Sequence, residues 1–277
     1  MKGKIIRVET ADKVQLQGIL YAPSERSALG VLHMPGSYGN FYENRFIDAL
    51  ADFYPTQGIT LISCNNRGHD GNSAYERFEK CILDIEAWLN WFESNGIKRF
   101  ILQGHSFGTH KIAYYLREHA NEKVSGCILL APFDLIAFYG GTEEVRRRNL
   151  RKARELADRD EDSIMPKEVW SEWPISSGTY LNLVGYETKT DLFNFRTSKE
   201  GIDALRELRV PIFAAIGGDD FASFPSPREC VDILSRTDLP CGKVTSHLIN
   251  DAPHNFDGHI EDLIEKLRKW IKSSNFH

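Results

Sequence analysis

The chain has 277 residues, 42% of them hydrophobic and 11% aromatic, enough to bury the core of one large α/β domain. Its 34 Lys and Arg against 39 Asp and Glu give a net charge of −5, with one local basic cluster, which argues against a nucleic-acid partner. No run is apolar enough to cross a bilayer: VSGCILLAPFDLIAFYG is broken by Pro132 and Asp134, so a soluble, cytoplasmic protein with no membrane partner is expected.

KIIRVETADKVQLQGILYAP alternates apolar and polar residues on either side of a polar turn, which predicts an antiparallel hairpin at a sheet edge. Short apolar runs then recur as ALGVLHM, ITLISCN, RFILQG, GCILLAP, VPIFAAIGG and KVTSHLIN, each followed by a loop rich in Gly, Pro, Asn or Asp. Amphipathic stretches separate them. The alternation predicts an α/β fold, a mostly parallel sheet flanked by helices, with its working loops outside the carboxyl ends of the strands. YERFEKCILDIEAWLNWFESNG, which stops at Asn95-Gly96, and the terminal GHIEDLIEKLRKWIKSS carry apolar residues at helical spacing.

Between Tyr139 and Arg206 the rhythm changes: EEVRRRNLRKARELADRDED is a charged helical segment and MPKEVWSEWPISSGTYLNLVGYETKTDLFNF is aromatic and irregular. The strand rhythm then resumes. Residues 139–206 therefore read as a cap inserted over the site, and 1–138 with 207–277 as the core. The five cysteines, Cys64, Cys81, Cys127, Cys230 and Cys241, are odd in number and scattered without a C-x-x-C pair, so core thiols are expected rather than a disulfide framework or a zinc site.

Gly104-His105-Ser106-Phe107-Gly108 fits G-x-S-x-G, between the apolar run RFILQ and the helical stretch GTHKIAYYLREHA. A serine at such a strand-to-helix turn is exposed above the sheet, where helix N–H groups favour the negative charge of acyl transfer. A helix-capping serine with no chemistry is the alternative. A serine nucleophile needs a base and a carboxylate that orients it. His254, in the turn-rich NDAPHNFDG before the last helix, is the candidate base. His259 falls inside that helix, His110 and His119 on the helix after the serine, His33 and His69 in loops near strand ends, and His105 beside the nucleophile, where it would shape the turn. For the acid, FAAIGGDDFASF ends a strand with Asp219 and Asp220.

The order Ser106, Asp, His254 resembles that of the serine α/β-hydrolases, and the resemblance extends over essentially the whole chain. It implies an esterase- or lipase-like fold with a nucleophile elbow, a catalytic triad and an oxyanion hole. In that family the acid commonly lies three residues beyond a glycine ending its strand, so Gly217 points to Asp220; Asp219 stays open, as does Asp134, because some relatives place the acid one strand earlier. The oxyanion hole would use the amide of Phe107 and one from LHMPGSYGNFYENRF. With Gly36 as the matching glycine, Ser37 supplies it, Pro35 standing where a histidine is usual, and Met34 and Tyr38 are the alternatives in register. NNRGHDGNS resembles the D-x-RG-x-G-x-S loop of these hydrolases, where Arg67 would brace the loop. GNFYENRF, NNRGHD and QGHSFGTHKIAYYL together resemble a branch of uncharacterised hydrolases whose fungal members include siderophore esterases.

In the cap, Trp170, Trp173, Tyr180 and Tyr186 either line an apolar acyl or aromatic pocket, with Tyr38 and His105, or form the cap's own core. RRRNLRKAR is either a basic rim for an anionic substrate or a solvated face paired with acids. The expected activity is a serine hydrolase cleaving a carboxylic ester, lactone or thioester of a small molecule through an acyl-enzyme on Ser106, with no metal or organic cofactor. A ligand-binding or slow-turnover homologue, or an acyltransferase or amidase on the same triad, is the alternative, and homo-oligomerisation stays open.

Overall fold

The computed structural model of the chain describes residues 3–42, 45–119, 121–171, 173–274 and 276; Glu43 and Asn44 of GNFYENRF lie outside them. β1 (Lys4–Glu9) and β2 (Gln15–Tyr21) pair as the antiparallel hairpin that their alternation predicts, with Ile6, Val8 and Leu16 turned inward. The sheet continues with β3 (Leu29–Met34), β4 (Thr60–Cys64), β5 (Arg99–His105), β6 (Val124–Leu130) and β7 (Ile212–Gly217). A ribbon of β8 (Asp238–Leu239) and β9 (Gly242–Lys243) precedes β10 (Thr245–Ile249), the last strand of the sheet. The eight-stranded order is β1-β2-β4-β3-β5-β6-β7-β10, antiparallel as far as the β2–β4 pair and parallel beyond it.

The helices are α1 (Arg45–Thr56), α2 (Cys81–Ser94), α3 (Phe107–Glu118), α4 (Glu143–Ala157), α5 (Ser177–Val184), α6 (Asp203–Arg206), α7 (Pro227–Ser235) and α8 (Ile260–Ser273). Successive residues of a strand face opposite sides of a sheet, so a central strand covered on both sides must be apolar throughout. Val31, Leu61, Ile101, Ile128 and Phe213 pack under α1 and α8, while their neighbours Leu32, Ile62, Leu102, Leu129 and Ala214 pack under α2, α3 and α7. Trp88 of α2 is fully buried, and burial of one such side chain stabilises by about 1.5–3 kcal/mol. α2 ends as its sequence indicates, with Gly96 in the left-handed region at φ 82°. His259 is the N-cap of α8 and so lies just outside the helix where the sequence puts it.

α4, α5 and α6 all fall in the segment between β6 and β7. Thr142 caps α4 by accepting from the Val145 amide, and Glu143 and Glu144 in its first turn suit the helix dipole. Part of its basic face is engaged locally: Arg146 donates to the carbonyls of Val184 and Gly185 at the end of α5, Arg147 pairs with Glu143, and Lys152 with Glu155. Cys64, Cys81, Cys127 and Cys230 are buried free thiols, and Cys241 is free and exposed. No helix among the described residues is long and apolar enough to cross a membrane.

After β3 the chain steps outward to β4 and returns to β5 on the other side of β3. Loops leaving β3 and β5 therefore diverge, and the crevice between them is where a doubly wound sheet binds ligands. Pro35-Gly36 follows β3, and Ser106 follows β5.

Candidate active site

Ser106 stands alone between β5 and α3 with φ 52° and ψ −124°, a conformation side chains rarely adopt. Hydrogen bonds on both sides hold it there: its amide donates to Leu130 O at 2.9 Å, and its carbonyl accepts from the amide and hydroxyl of Thr109 at 2.9 and 2.6 Å. The flanking glycines are demanded by closeness. A Cβ on Gly104 would lie 2.4 Å from Gly108 O, and one on Gly108 would lie 2.3 Å from Met34 O. Strand and helix can approach this tightly only without side chains, which leaves the hydroxyl aimed out of the turn.

A cavity of about 240 Å³ opens above it, lined by Gly36, Ser37, Tyr38, Gly39, His105, Ser106, His254 and Asn255. His254 Nδ1 donates to Asp220 Oδ1 at 2.8 Å, which leaves Nε2 as the acceptor. Asp220 Oδ1 also accepts from the Ala222 amide at 2.8 Å, and Oδ2 is buried with no partner among the described residues. The two loops are joined by backbone: Gly218 N donates to Ile249 O and Asp219 N to Ala252 O. His105 completes the seating. Its Nε2–H donates to the carbonyl of His254 at 3.1 Å, with the two rings 5.1 Å apart. Burial, then the proximity of His254, holds the His105 imidazole well below its usual pKa, so it stays neutral with one N–H to give.

Of the oxyanion candidates, Met34 belongs to the β3–β5 ladder, and the Tyr38 amide donates to Ser73 Oγ at 3.0 Å. No acceptor among the described residues takes the amide of Ser37 or Phe107. Gly36 lies against Ser106, since a Cβ there would stand 3.4 Å from its Oγ. The loop is stitched to the segment after β4. Asp70 N donates to Tyr38 O, Phe41 N to Asn65 Oδ1, Asn40 Nδ2 to Asp70 Oδ1 and Ser63 Oγ to Phe41 O. Ser73 Oγ, besides receiving the Tyr38 amide, donates to Gly68 O. Arg67 is the anchor of that segment, bound to the fully buried Asp84 and to Asp12, in the bracing role its motif implies.

Several candidates lie elsewhere. Asp134 is buried, and its carboxylate accepts from the amides of Ala137 and Arg196 and pairs with the Arg196 guanidinium; no bond links it to His254. Asp219 is exposed. His33 lies within β3 rather than in a loop: it accepts from Gln103 Nε2, whose Oε1 accepts from Tyr54 OH, and burial pushes its pKa down to about 3; it does not line the cavity. His69 pairs with Asp70. His110 is buried among Phe107, Phe133 and Phe193, and His119 stacks on Tyr115. Of the cap aromatics, Trp170 and Tyr180 are buried in the hydrophobic core, Trp173 reaches Tyr38, and Tyr186 lies under Arg146. Sequence reasoning gave no role to Ser73, Asn65 and Asp70, although they lie in the NNRGHDGNS loop whose arginine it singled out. It also missed Phe221, which packs 5.0 Å from the His254 ring and immediately follows Asp220.

A family model described as alpha/beta hydrolase fold matches residues 34–160. A curated relative, a probable 1-acylglycerol-3-phosphate O-acyltransferase of Oryza sativa subsp. japonica, is 32% identical over 116 residues, 39% of this chain and 26% of that protein. The match thus spans about a quarter of the relative's length. Among solved structures, the α/β hydrolase GrgF from Penicillium sp. sh18 superposes with a TM-score of 0.73 at 16% identity over 99% of each chain. The Pyrococcus furiosus esterase Pf2001 superposes with a TM-score of 0.66 at 17% identity, over 98% of this chain and 91% of that one. The chain has the α/β-hydrolase fold.

Proposed function

We propose that the chain is a serine hydrolase cleaving a carboxylic ester of a small molecule through an acyl-enzyme on Ser106. The observation that carries the reading is the His254–Asp220 hydrogen bond of 2.8 Å at the rim of the cavity that Ser106 lines. Ser106 Oγ attacks the ester carbonyl while His254 Nε2 takes its proton; Asp220 fixes the imidazole with Nδ1 protonated and stabilises the imidazolium. The free amides of Ser37 and Phe107 receive the oxyanion, and α3 points its N-terminus at the same charge. The imidazolium then gives its proton to the leaving alcohol, and water, deprotonated by His254, releases the acid. An esterase among the structural neighbours supports the choice of an ester. The test is intact mass after exposure to a fluorophosphonate. A single adduct on the wild type, lost in Ser106→Ala and His254→Ala, is expected; a folded wild type that takes no adduct would refute the mechanism.

The Oryza sativa relative favours a second reading, acyl transfer to an alcohol acceptor on the same acyl-enzyme. Adding glycerol or a lysolipid to a running ester assay separates the two. Transfer would convert released acid into a new ester, whereas hydrolysis would leave the acid yield unchanged.

A further inference from the structure

We propose that an arc of aromatic rings around the Ser106 cavity recognises a planar aromatic group of the substrate, an inference that rests on the ester-hydrolase reading. The rings run without a break: Tyr38 to Trp173 at 6.1 Å, Trp173 to Tyr139 at 5.8 Å, Tyr139 to Phe138 at 4.7 Å, Phe138 to Phe221 at 5.9 Å, and Phe221 to His254 at 5.0 Å. Both ends of the arc, Tyr38 and His254, line the cavity. Its members come from separate parts of the chain: the loop after β3, the segment between β6 and β7, the loop after β7, and the loop after β10.

Exposure sets this arc apart from ordinary packing. Phe221 is 72% exposed and Tyr38 39%, and Phe138, Tyr139 and Trp173 are partly exposed. Single exposed apolar residues are ordinary on a protein surface, but contiguous ones beside a cavity mark a binding site. A second observation comes from behind the arc. Trp170 lies 4.7 Å from Tyr139 and 5.1 Å from Trp173, and the indole N–H groups of both tryptophans are buried without an acceptor among the described residues. Buried indoles in a finished core usually donate to something, so two unmet donors side by side set the packing behind the arc apart from an ordinary core. Among the described residues, the side chains that line the cavity are neutral polar or aromatic ones, Ser37, Tyr38, His105, Ser106, His254 and Asn255.

The test compares methyl 3-phenylpropanoate with methyl 3-cyclohexylpropanoate, of similar size but with a puckered, saturated ring. The wild type is expected to prefer the aryl ester by about tenfold in kcat/KM, the scale of one or two ring contacts. Phe221→Leu and Trp173→Leu are expected to bring the ratio toward one, and Tyr186→Ala, outside the arc, to leave it unchanged. A readout without turnover is quenching of tryptophan fluorescence by 3-phenylpropanoate in Ser106→Ala, lost when Trp173→Leu is added. Equal rates for the two esters in the wild type, or a ratio unmoved by both arc variants, would overturn the proposal. A wild type that hydrolyses neither ester leaves the arc to the quenching, without which it falls, and refutes the hydrolase reading only where it also takes no fluorophosphonate adduct.

Discussion

His110 lies on α3 just beyond the Ser106 turn, fully buried, with the rings of Phe193 and Phe133 at 4.8 and 4.9 Å. Burial pushes its pKa down to about 3, against about 6.5 in an unfolded chain. A group whose folded pKa is depressed takes up its proton on unfolding, so its contribution to stability is complete above pH 6.5 and is lost as the pH falls toward 3. Between pH 7 and pH 5 the loss from this one histidine is about 2 kcal/mol. His110→Phe removes the titrating group and keeps an aromatic ring among its aromatic neighbours. Urea unfolding of both proteins at pH 7 and pH 5 gives four free energies, and the wild type is expected to lose about 2 kcal/mol more than the variant. The packing cost of the larger ring is present at both pH values and cancels in the double difference. So do the contributions of His33 and His105, of the same sign, and of Asp84 and Asp134, whose burial raises their pKa and gives the opposite sign. Equal pH dependence in the two proteins would refute the reasoning.

Asp220→Asn is expected to lower kcat for a small ester by about 10⁴-fold, because an amide cannot hold His254 in the required tautomer, while Asp219→Asn, changing an exposed side chain, leaves the rate near wild type. Ser73→Ala removes the acceptor of the Tyr38 amide and loosens the loop carrying the Ser37 N–H; steady-state kinetics should show kcat falling about tenfold with little change in KM. Arg67→Met strands the buried Asp84 carboxylate, and urea unfolding is expected to show a loss of about 3 kcal/mol.

The sheet and the tight turn at Ser106 were legible because they are written in short-range pattern. Apolar runs that alternate sides fix the strands, and Gly104 and Gly108 announce the place where strand and helix touch. The pairing of His254 with Asp220 rather than Asp219 or Asp134 was pointed to by order and turn residues, and the structure brings those two side chains together. What sequence could not give is contact over distance. His105 meets the carbonyl of a residue 149 positions away, and Ser73 reaches Tyr38 across 35. Neither residue type is unusual where it stands, so only the fold reveals its task. The cap aromatics show the same limit in another form, since composition could not divide Trp170 and Tyr180, which pack inward, from Trp173, which turns toward Tyr38.

Backbone strain explains why the site depends on such distant partners. Among the described residues, the non-glycine positions with positive φ are Lys13, Tyr38, Asp70, Ser106, Ala131, Asp251 and Phe256. Apart from Lys13, in the β1–β2 turn, all lie in loops at the carboxyl edge of the sheet: the nucleophile turn, the loop bearing Ser37, its brace, the start of the β6–β7 segment and the histidine loop. Each such conformation costs about 1–3 kcal/mol and survives only where its surroundings impose it. The imposing bonds are visible: Ser106 N to Leu130 O, Ala131 N to Ala215 O, Asp70 N to Tyr38 O, Tyr38 N to Ser73 Oγ and Phe256 N to Pro253 O. The chain thus concentrates strain around Ser106, the Ser37 amide and the His254 loop, and the neighbouring strands and loops offset it. A glycine at any of these positions would lower the strain and also release the geometry, and that is a physical reason for side-chain-bearing residues to stand there.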